Sequence, residues 1–305
     1  MKCRQPYIRG GMALACGQCM PCRLNARRVW THRIMLESLL HGDNCMVTLT
    51  YTEESLPENG TLVPKHLQDW LKRFRKSIEP LKIRFYGVGE YGDQSERPHY
   101  HVILFGYPNC RFGKTRVNRI SCCDSCDRVR DTWSHGGVFL CELSTETAQY
   151  TAGYVTKKMT KKDDPRLKGR YPEFARMSNG GRNQSGGIGA GMMWDVASAL
   201  MQFDLEDKQT DVPSALRHGT RLLPLGRYLR RKLRAYVGKD EKTPPAVIEE
   251  IKAALRPLQD QAQASSDLTK RKYGDEFRRL LQEAGDGAVA RLEAREKIKR
   301  KRGSI

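Results

Sequence analysis

The stretch Arg97-Pro98-His99-Tyr100-His101-Val102-Ile103-Leu104-Phe105-Gly106 constrains this chain most. An apolar, β-branched run entered through a proline and closed by a glycine predicts a short buried strand, and strand side chains point to alternate faces. His99 and His101 then share a face. Two imidazoles two residues apart on a rigid strand can both direct ring nitrogens at one metal ion. A His-x-His pair in a strand is by itself more often structural than metal-binding, so the reading depends on what flanks it.

Upstream, Lys82-Ile83-Arg84-Phe85-Tyr86-Gly87-Val88-Gly89-Glu90 alternates as a second strand, and the turn over 91–96 leads straight into the histidine strand. The pair predicts an antiparallel hairpin, in which the end of one strand lies beside the start of the next. Glu90 is thereby expected close to His99 and His101, giving two imidazoles and one carboxylate. Cys45 to Tyr51 predicts a first core strand and Val138 to Leu143 a later one. Leu67, Trp70, Leu71, Phe74 and Ile78 form a helical stripe that should be core. Ser144 or Thr145 opens a further helix bearing Tyr150 and Tyr154, with Lys157 and Lys158 beyond. Spacing of i, i+4 places both phenols on one face. Gln149, just before Tyr150, is an alternative metal ligand to Glu90.

The 54 Lys and Arg against 35 Asp and Glu leave a net charge of +19 on 305 residues, which points to a polyanionic partner, nucleic acid before membrane. No run of about 18 apolar residues is present to span a bilayer. The first residues lack the apolar core of a signal peptide, so a reducing cytoplasm is expected and the ten cysteines read as metal ligands or buried thiols. Cys16, Cys19 and Cys22, with Cys3 as fourth ligand, suit a structural Zn²⁺ site. Residues 107–128 read as an inserted loop whose Cys110, Cys122, Cys123 and Cys126 form a second zinc candidate. The adjacent Cys122 and Cys123 argue against both thiols reaching one ion, with Cys141 or His135 as substitutes. Gly113-Lys114-Thr115 lacks the upstream glycine of a nucleotide-binding phosphate loop.

The basic helix expected from Arg23 to about Leu40 carries His32 and His41 as ordinary surface or capping residues. From Val212 to Lys239 no acid occurs. Arg217, Arg221, Arg227, Arg230, Arg231, Lys232 and Arg234 there read as a DNA-binding surface. The segment from Ala246 onward reads as a helical appendage, frayed at its end.

The motif order resembles the HUH endonucleases that initiate rolling-circle replication. The residues that carry the likeness are Thr48-Leu49-Thr50-Tyr51, Gly89-Glu90-Tyr91-Gly92, Arg97-Pro98-His99-Tyr100-His101, Tyr154-Val155-Thr156-Lys157-Lys158 and Gly187-Ile188-Gly189. The match is most specific to replication initiators of small single-stranded DNA phages, the gokushovirus-like Microviridae, and covers roughly residues 1–195. Tyr100 stands where the family often has a hydrophobic residue. The resemblance implies an α+β, HUH/ferredoxin-like (RRM-like) antiparallel sheet with flanking helices. It divides the chain into a cysteine-rich, zinc-binding segment with its basic helix (1–40), an HUH endonuclease domain (41–195) and a basic, mainly helical region (196–305). His99, His101 and Glu90 are then expected to hold Mg²⁺ or Mn²⁺. Tyr154 attacks DNA, Tyr150 serves as second nucleophile, and Lys157 stabilises charge with Lys158 as its understudy. Implied partners are single-stranded and origin DNA and, since no motor motif occurs, a host helicase and polymerase in the bacterial cytoplasm. The same two-histidine, one-carboxylate set serves non-haem iron oxygenases, but nothing here supplies their oxoacid-binding arginine motif. The alternative from another class is a non-catalytic, zinc-stabilised DNA-binding protein, a repressor or packaging factor, which leaves the paired tyrosines unused.

Overall fold

A computed structural model describes residues 3–92, 94–117, 121–153, 164–180, 186–206, 208 and 210–302. Its elements run β1 (Tyr7–Arg9), β2 (Met12–Leu14), α1 (Met20–Ser38), β3 (Asn44–Thr50), α2 (Pro64–Ser77), β4 (Arg84–Tyr91), β5 (Pro98–Phe105), β6 (Lys114–Val117), α3 (Asp124–Trp133) and β7 (Val138–Glu142). They continue with α4 (Thr145–Gly153), β8 (Phe174–Met177), α5 (Met193–Gln202), β9 (Ala215–His218), β10 (Arg221–Pro224), α6 (Gly226–Tyr236), α7 (Pro245–Thr269) and α8 (Tyr273–Arg302). Two compact units result. One gathers residues 1–26, 200–213 and 234–305; the other gathers 27–199 and 214–233.

The larger unit is built on a six-stranded sheet in the order β6-β7-β3-β5-β4-β8, with every neighbouring pair antiparallel. The expected α+β architecture is therefore present. The β4–β5 hairpin forms with Glu90 opposite His99 and Val88 opposite His101. On its other side β5 pairs with β3, setting Thr48 opposite His101 and Thr50 opposite His99. Period-2 alternation sends Tyr100, Val102 and Leu104 to the face covered by α2, where Leu67, Trp70, Leu71 and Phe74 are buried as the helical stripe predicts. Ile103 and Phe105 go to the opposite face, where they pack with Ile34, Met46, Tyr86, Val88, Ala148, Ala152 and Ile188.

Several local expectations change. Residues 107–128 are not merely a loop, since they include strand β6 and the first turn of α3. His32 is fully buried, its Nδ1 lying 3.1 Å from the Pro224 carbonyl of the β9–β10 hairpin, so it is a core residue and not a surface one. The arginine face of α1 is also partly internal. Arg33 lies over the rings of Trp30 and Tyr228 and donates from Nε to the Ile188 carbonyl at 2.9 Å. One turn on, buried Glu37 receives Arg84 at 3.0 Å and the Gly189 amide at 2.6 Å. The Gly187-Ile188-Gly189 segment is thereby fastened to α1. A Cβ at Gly189 would sit 2.8 Å from the Arg33 carbonyl oxygen, and the residue's φ of +78° is one that suits glycine.

In the smaller unit the region beyond Ala246 is not a loose appendage. Helices α7 and α8 enclose a core of Ala262, Phe277, Leu280 and Leu281 with Ala13 of β2. Gln259 donates to the Gly11 carbonyl at 2.8 Å and Gln282 to that of Arg4 at 2.6 Å, so main-chain acceptors of the N-terminal hairpin region are met by the C-terminal helices. No helix among the described residues is long and apolar enough to cross a membrane.

Candidate metal centre and its neighbours

Glu90, His99 and His101 converge. Glu90 Oε1 lies 2.7 Å from His99 Nε2 and 3.0 Å from His101 Nε2. Glu90 and His101 are buried, and His99 is half-buried. The register explains the convergence, because residues opposite each other on antiparallel strands present side chains to the same face. Burial alone would push the Glu90 carboxyl up, but hydrogen bonds from His101 and His99 outweigh it and hold the group at about 2.

The far side of each imidazole is also engaged. His99 Nδ1 lies 3.1 Å from the Arg97 carbonyl, which can only accept, so that nitrogen carries a proton. Nε2 is left facing a carboxylate oxygen. Only a proton or a cation between them makes that approach favourable, and two imidazole nitrogens with one carboxylate are suitable donors for a divalent ion. His101 Nδ1 lies 2.9 Å from Thr48 Oγ1. Sequence reading gave Thr48 no role at the centre. The available signal was register: pairing Thr-Leu-Thr antiparallel to His-Tyr-His puts a hydroxyl beside an imidazole.

Helix α4 brings a phenol to this face. Ser144 Oγ accepts from the amides of Glu146 and Thr147, while Thr147 Oγ1 accepts from the Ser144 amide at 2.8 Å, a reciprocal N-terminal cap. The buried side of the helix carries only Ala148, Thr151 and Ala152, which lets it lie close to the sheet. Tyr150 is 51% exposed, and its ring meets that of His101 edge-on, centroids 5.1 Å apart. Tyr154, Lys157 and Lys158 lie outside the described residues.

Both cysteine groups assemble, each with four thiols whose sulfurs lie within 4.8 Å of one another. In the first, Cys3 and Cys19 are 3.8 Å apart and Cys16 and Cys22 are 3.9 Å apart. The Gln18 and Cys19 amides donate to the Cys16 sulfur at 3.4 and 3.3 Å. Burial pushes that thiol up, but these amide contacts outweigh it and bring it down to about 6. Burial raises Cys22. In the second group the objection to adjacent cysteines fails: Cys122 and Cys123 join Cys110 and Cys126 without help from Cys141 or His135. The chain bends there, Cys123 being the extended residue that caps α3 (φ −151°, ψ 162°). Thiolate sets of this kind suit tetrahedral Zn²⁺.

The basic block is less uniform than its sequence suggests. Arg217, Arg221, Arg227 and Arg231 are exposed, whereas Arg230 and Lys232 are half-buried. Arg221 meets Glu146 at 3.1 Å. Arg234 departs from the expected DNA-binding role: it is 3% exposed and bonded through Nε and Nη2 to both oxygens of Asp211 at 2.6 and 2.7 Å. That fork-to-fork pair holds the smaller unit together.

These features define a mixed α/β protein with a candidate metal centre at the middle of an antiparallel sheet and a tyrosine helix beside it. Residues 44–163 match the family model of the replication-associated protein ORF2. The chain is 31% identical over 159 residues to the replication-associated protein VP4 of Bdellovibrio phage phiMH2K, a match covering 50% of each chain. It is 33% identical over 177 residues to the replication-associated protein ORF2 of Spiroplasma virus 4, covering 55% of each. A third match, 30% over 156 residues, is to the replication-associated protein ORF4 of Chlamydia phage 1 and covers 48% of this chain and 38% of that one. The chain thus spans about half the length of the first two relatives. The likeness to phage replication-associated proteins read from the motifs is borne out. No solved structure matches the chain.

Proposed function

We propose that the protein is an HUH-type replication initiator, a DNA nickase and strand transferase of the Microviridae kind. The observation that carries this reading is the closure of Glu90, His99 and His101 on one point with the Tyr150 ring 5.1 Å from that of His101. Glu90, His99 and His101 hold Mg²⁺ or Mn²⁺. A cation bound there supplies charge to a non-bridging oxygen of the scissile phosphate.

The chain's own residues do the rest. The phenol oxygen of Tyr154 bonds to phosphorus, its proton passes to solvent, and the phosphorus–O3′ bond breaks. A 5′-phosphotyrosine remains, and the released 3′-oxygen takes up a proton to become the hydroxyl that primes synthesis. A phenol with an ordinary pKa of about 10 needs such assistance at neutral pH. Lys157 balances charge on the phosphate, with Lys158 in reserve. Tyr150 cuts the regenerated origin after one round, and the freed 3′-hydroxyl attacks the first phosphotyrosine to close the circle. The two cysteine groups hold structural Zn²⁺, and the exposed arginines of the basic block bind DNA. Unwinding and synthesis fall to a host helicase and polymerase in the cytoplasm of the bacterial host.

The test is incubation with single-stranded circular DNA and Mn²⁺, followed by a denaturing gel. A covalent protein–DNA band is expected from the native chain, and it should vanish in His101→Ala and in the Tyr150→Phe/Tyr154→Phe double variant. Tight DNA binding with no band in any preparation would favour the non-catalytic repressor or packaging factor. Full attachment by the double tyrosine variant would remove the nucleophile assignment.

A further inference from the structure

We propose that Cys110, Cys122, Cys123 and Cys126 clamp one Zn²⁺ beneath a turn whose tip, Arg111-Phe112, is a contact for single-stranded DNA. In it Phe112 stacks on a base and Arg111 pairs with a phosphate. The site deepens the proposed function by adding a strand-holding element away from the metal centre.

The turn is closely specified. The Gly113 amide donates to the Cys110 carbonyl at 2.9 Å, and Gly113 has φ +81°, which favours glycine. Asn109 closes it from both sides, its Nδ2 donating to the Gly113 carbonyl at 3.1 Å and its Oδ1 accepting from the Cys110 amide at 2.7 Å. The Arg111 amide donates to the Cys123 sulfur, so the turn wraps directly on the thiol group. The apex of this well-defined structure is an apolar ring. Phe112 is 68% exposed, more than any other aromatic side chain among the described residues. A rigidly mounted aromatic facing water invites stacking, and every base offers a face to stack on.

Charge selects the partner. From Tyr107 to Cys123 the sequence has no acid but contains Arg111, Lys114, Arg116 and Arg119. Arg111 is exposed and has no carboxylate partner among the described residues. An aromatic set among uncompensated cations fits a nucleic acid strand better than a protein surface. The turn leads into β6, which is separated from histidine strand β5 by β7 and β3. Three strand spacings amount to about 14 Å. One strand of DNA can therefore reach from this element to the metal centre on the same sheet.

The test uses the full chain and a fluorescein-labelled dT20 oligonucleotide, read by anisotropy, with zinc content measured alongside. Phe112→Ala should weaken binding about tenfold while keeping native zinc content, and Phe112→Trp should keep native affinity. Arg111→Ala should lower the slope of log affinity against log salt by about 0.7. Cys123→Ser should lose one zinc per chain and bind as weakly as Phe112→Ala. Native affinity in Phe112→Ala, with covalent attachment to circular DNA retained, would overturn this site and leave the nickase reading standing. Phe112-sensitive binding in a native chain that never attaches to DNA would do the reverse.

Discussion

Replacing Thr48 by valine changes the metal centre by one atom group. The two side chains are nearly isosteric, so the sheet and its packing should survive. What disappears is the hydroxyl 2.9 Å from His101 Nδ1, in a residue only 5% exposed. If that nitrogen keeps its proton, a buried donor is left unsatisfied at a cost of about 1–3 kcal/mol. If the proton moves to Nε2, the lone pair needed for a cation is lost and metal binding must reverse the change. Either route taxes the bound state. Outer partners of ligating histidines typically contribute 10- to 100-fold in metal affinity, or about 1.4–2.8 kcal/mol. Calorimetric titration of the native chain, Thr48→Val and Thr48→Ser with Mn²⁺ measures this, and ¹⁵N shifts of the His101 ring report its tautomer. Weakening of at least about tenfold by valine with recovery by serine is expected. Equal Mn²⁺ affinity in all three, with an unchanged His101 tautomer, would show that the hydroxyl does not orient the ring.

Three further outcomes follow from the same structure. Gly189→Ala should destabilise the chain in urea titration by at least about 2 kcal/mol, combining backbone strain with the close approach to Arg33. Gly169→Ala, also at positive φ (+80°) but with open space around it, should cost only the strain, about 1 kcal/mol. Purified protein unfolded in a zinc-sensitive dye should release two Zn²⁺ per chain, one per thiol group, and Cys16→Ser should release one. Burial holds His32, His66 and His135 below their ordinary range. Unfolded histidines then take up protons first, so stability should be fully present above about pH 6.5 and fall as pH drops below it. Thermal unfolding across pH 5–8 measures the slope, which His32→Gln should flatten if it folds.

The hairpin and its triad were legible because a strand has a fixed period of two. Once the turn over 91–96 is recognised, Glu90 and His99 can hardly avoid each other. The α2 stripe was legible for the same reason at a period of 3.6. What sequence reading missed depends on distant chain. His32 looks like a surface residue on a basic helix until a hairpin some 190 positions later covers it. Arg234 sits in an acid-free window, yet its partner is the residue just before that window begins. The second thiol group was doubted on a local rule about neighbouring cysteines, and a bend at the start of α3 removes the objection.

The shared core of Ala13 with Phe277, Leu280 and Leu281 also sets an order of events during synthesis. About 220 residues separate Cys22 from the start of α7, and at about 5–20 residues per second their translation takes roughly 11–45 seconds. The first hairpin must wait that long for its cover, while the sheet carrying the metal triad can already be complete. Only the thiol group, local in sequence from Cys3 to Cys22, can organise the early segment in the meantime. Zinc supply at the ribosome therefore bears on the yield of folded protein as well as on its final stability, and a nascent chain starved of zinc enters that interval with nothing to hold its beginning in place.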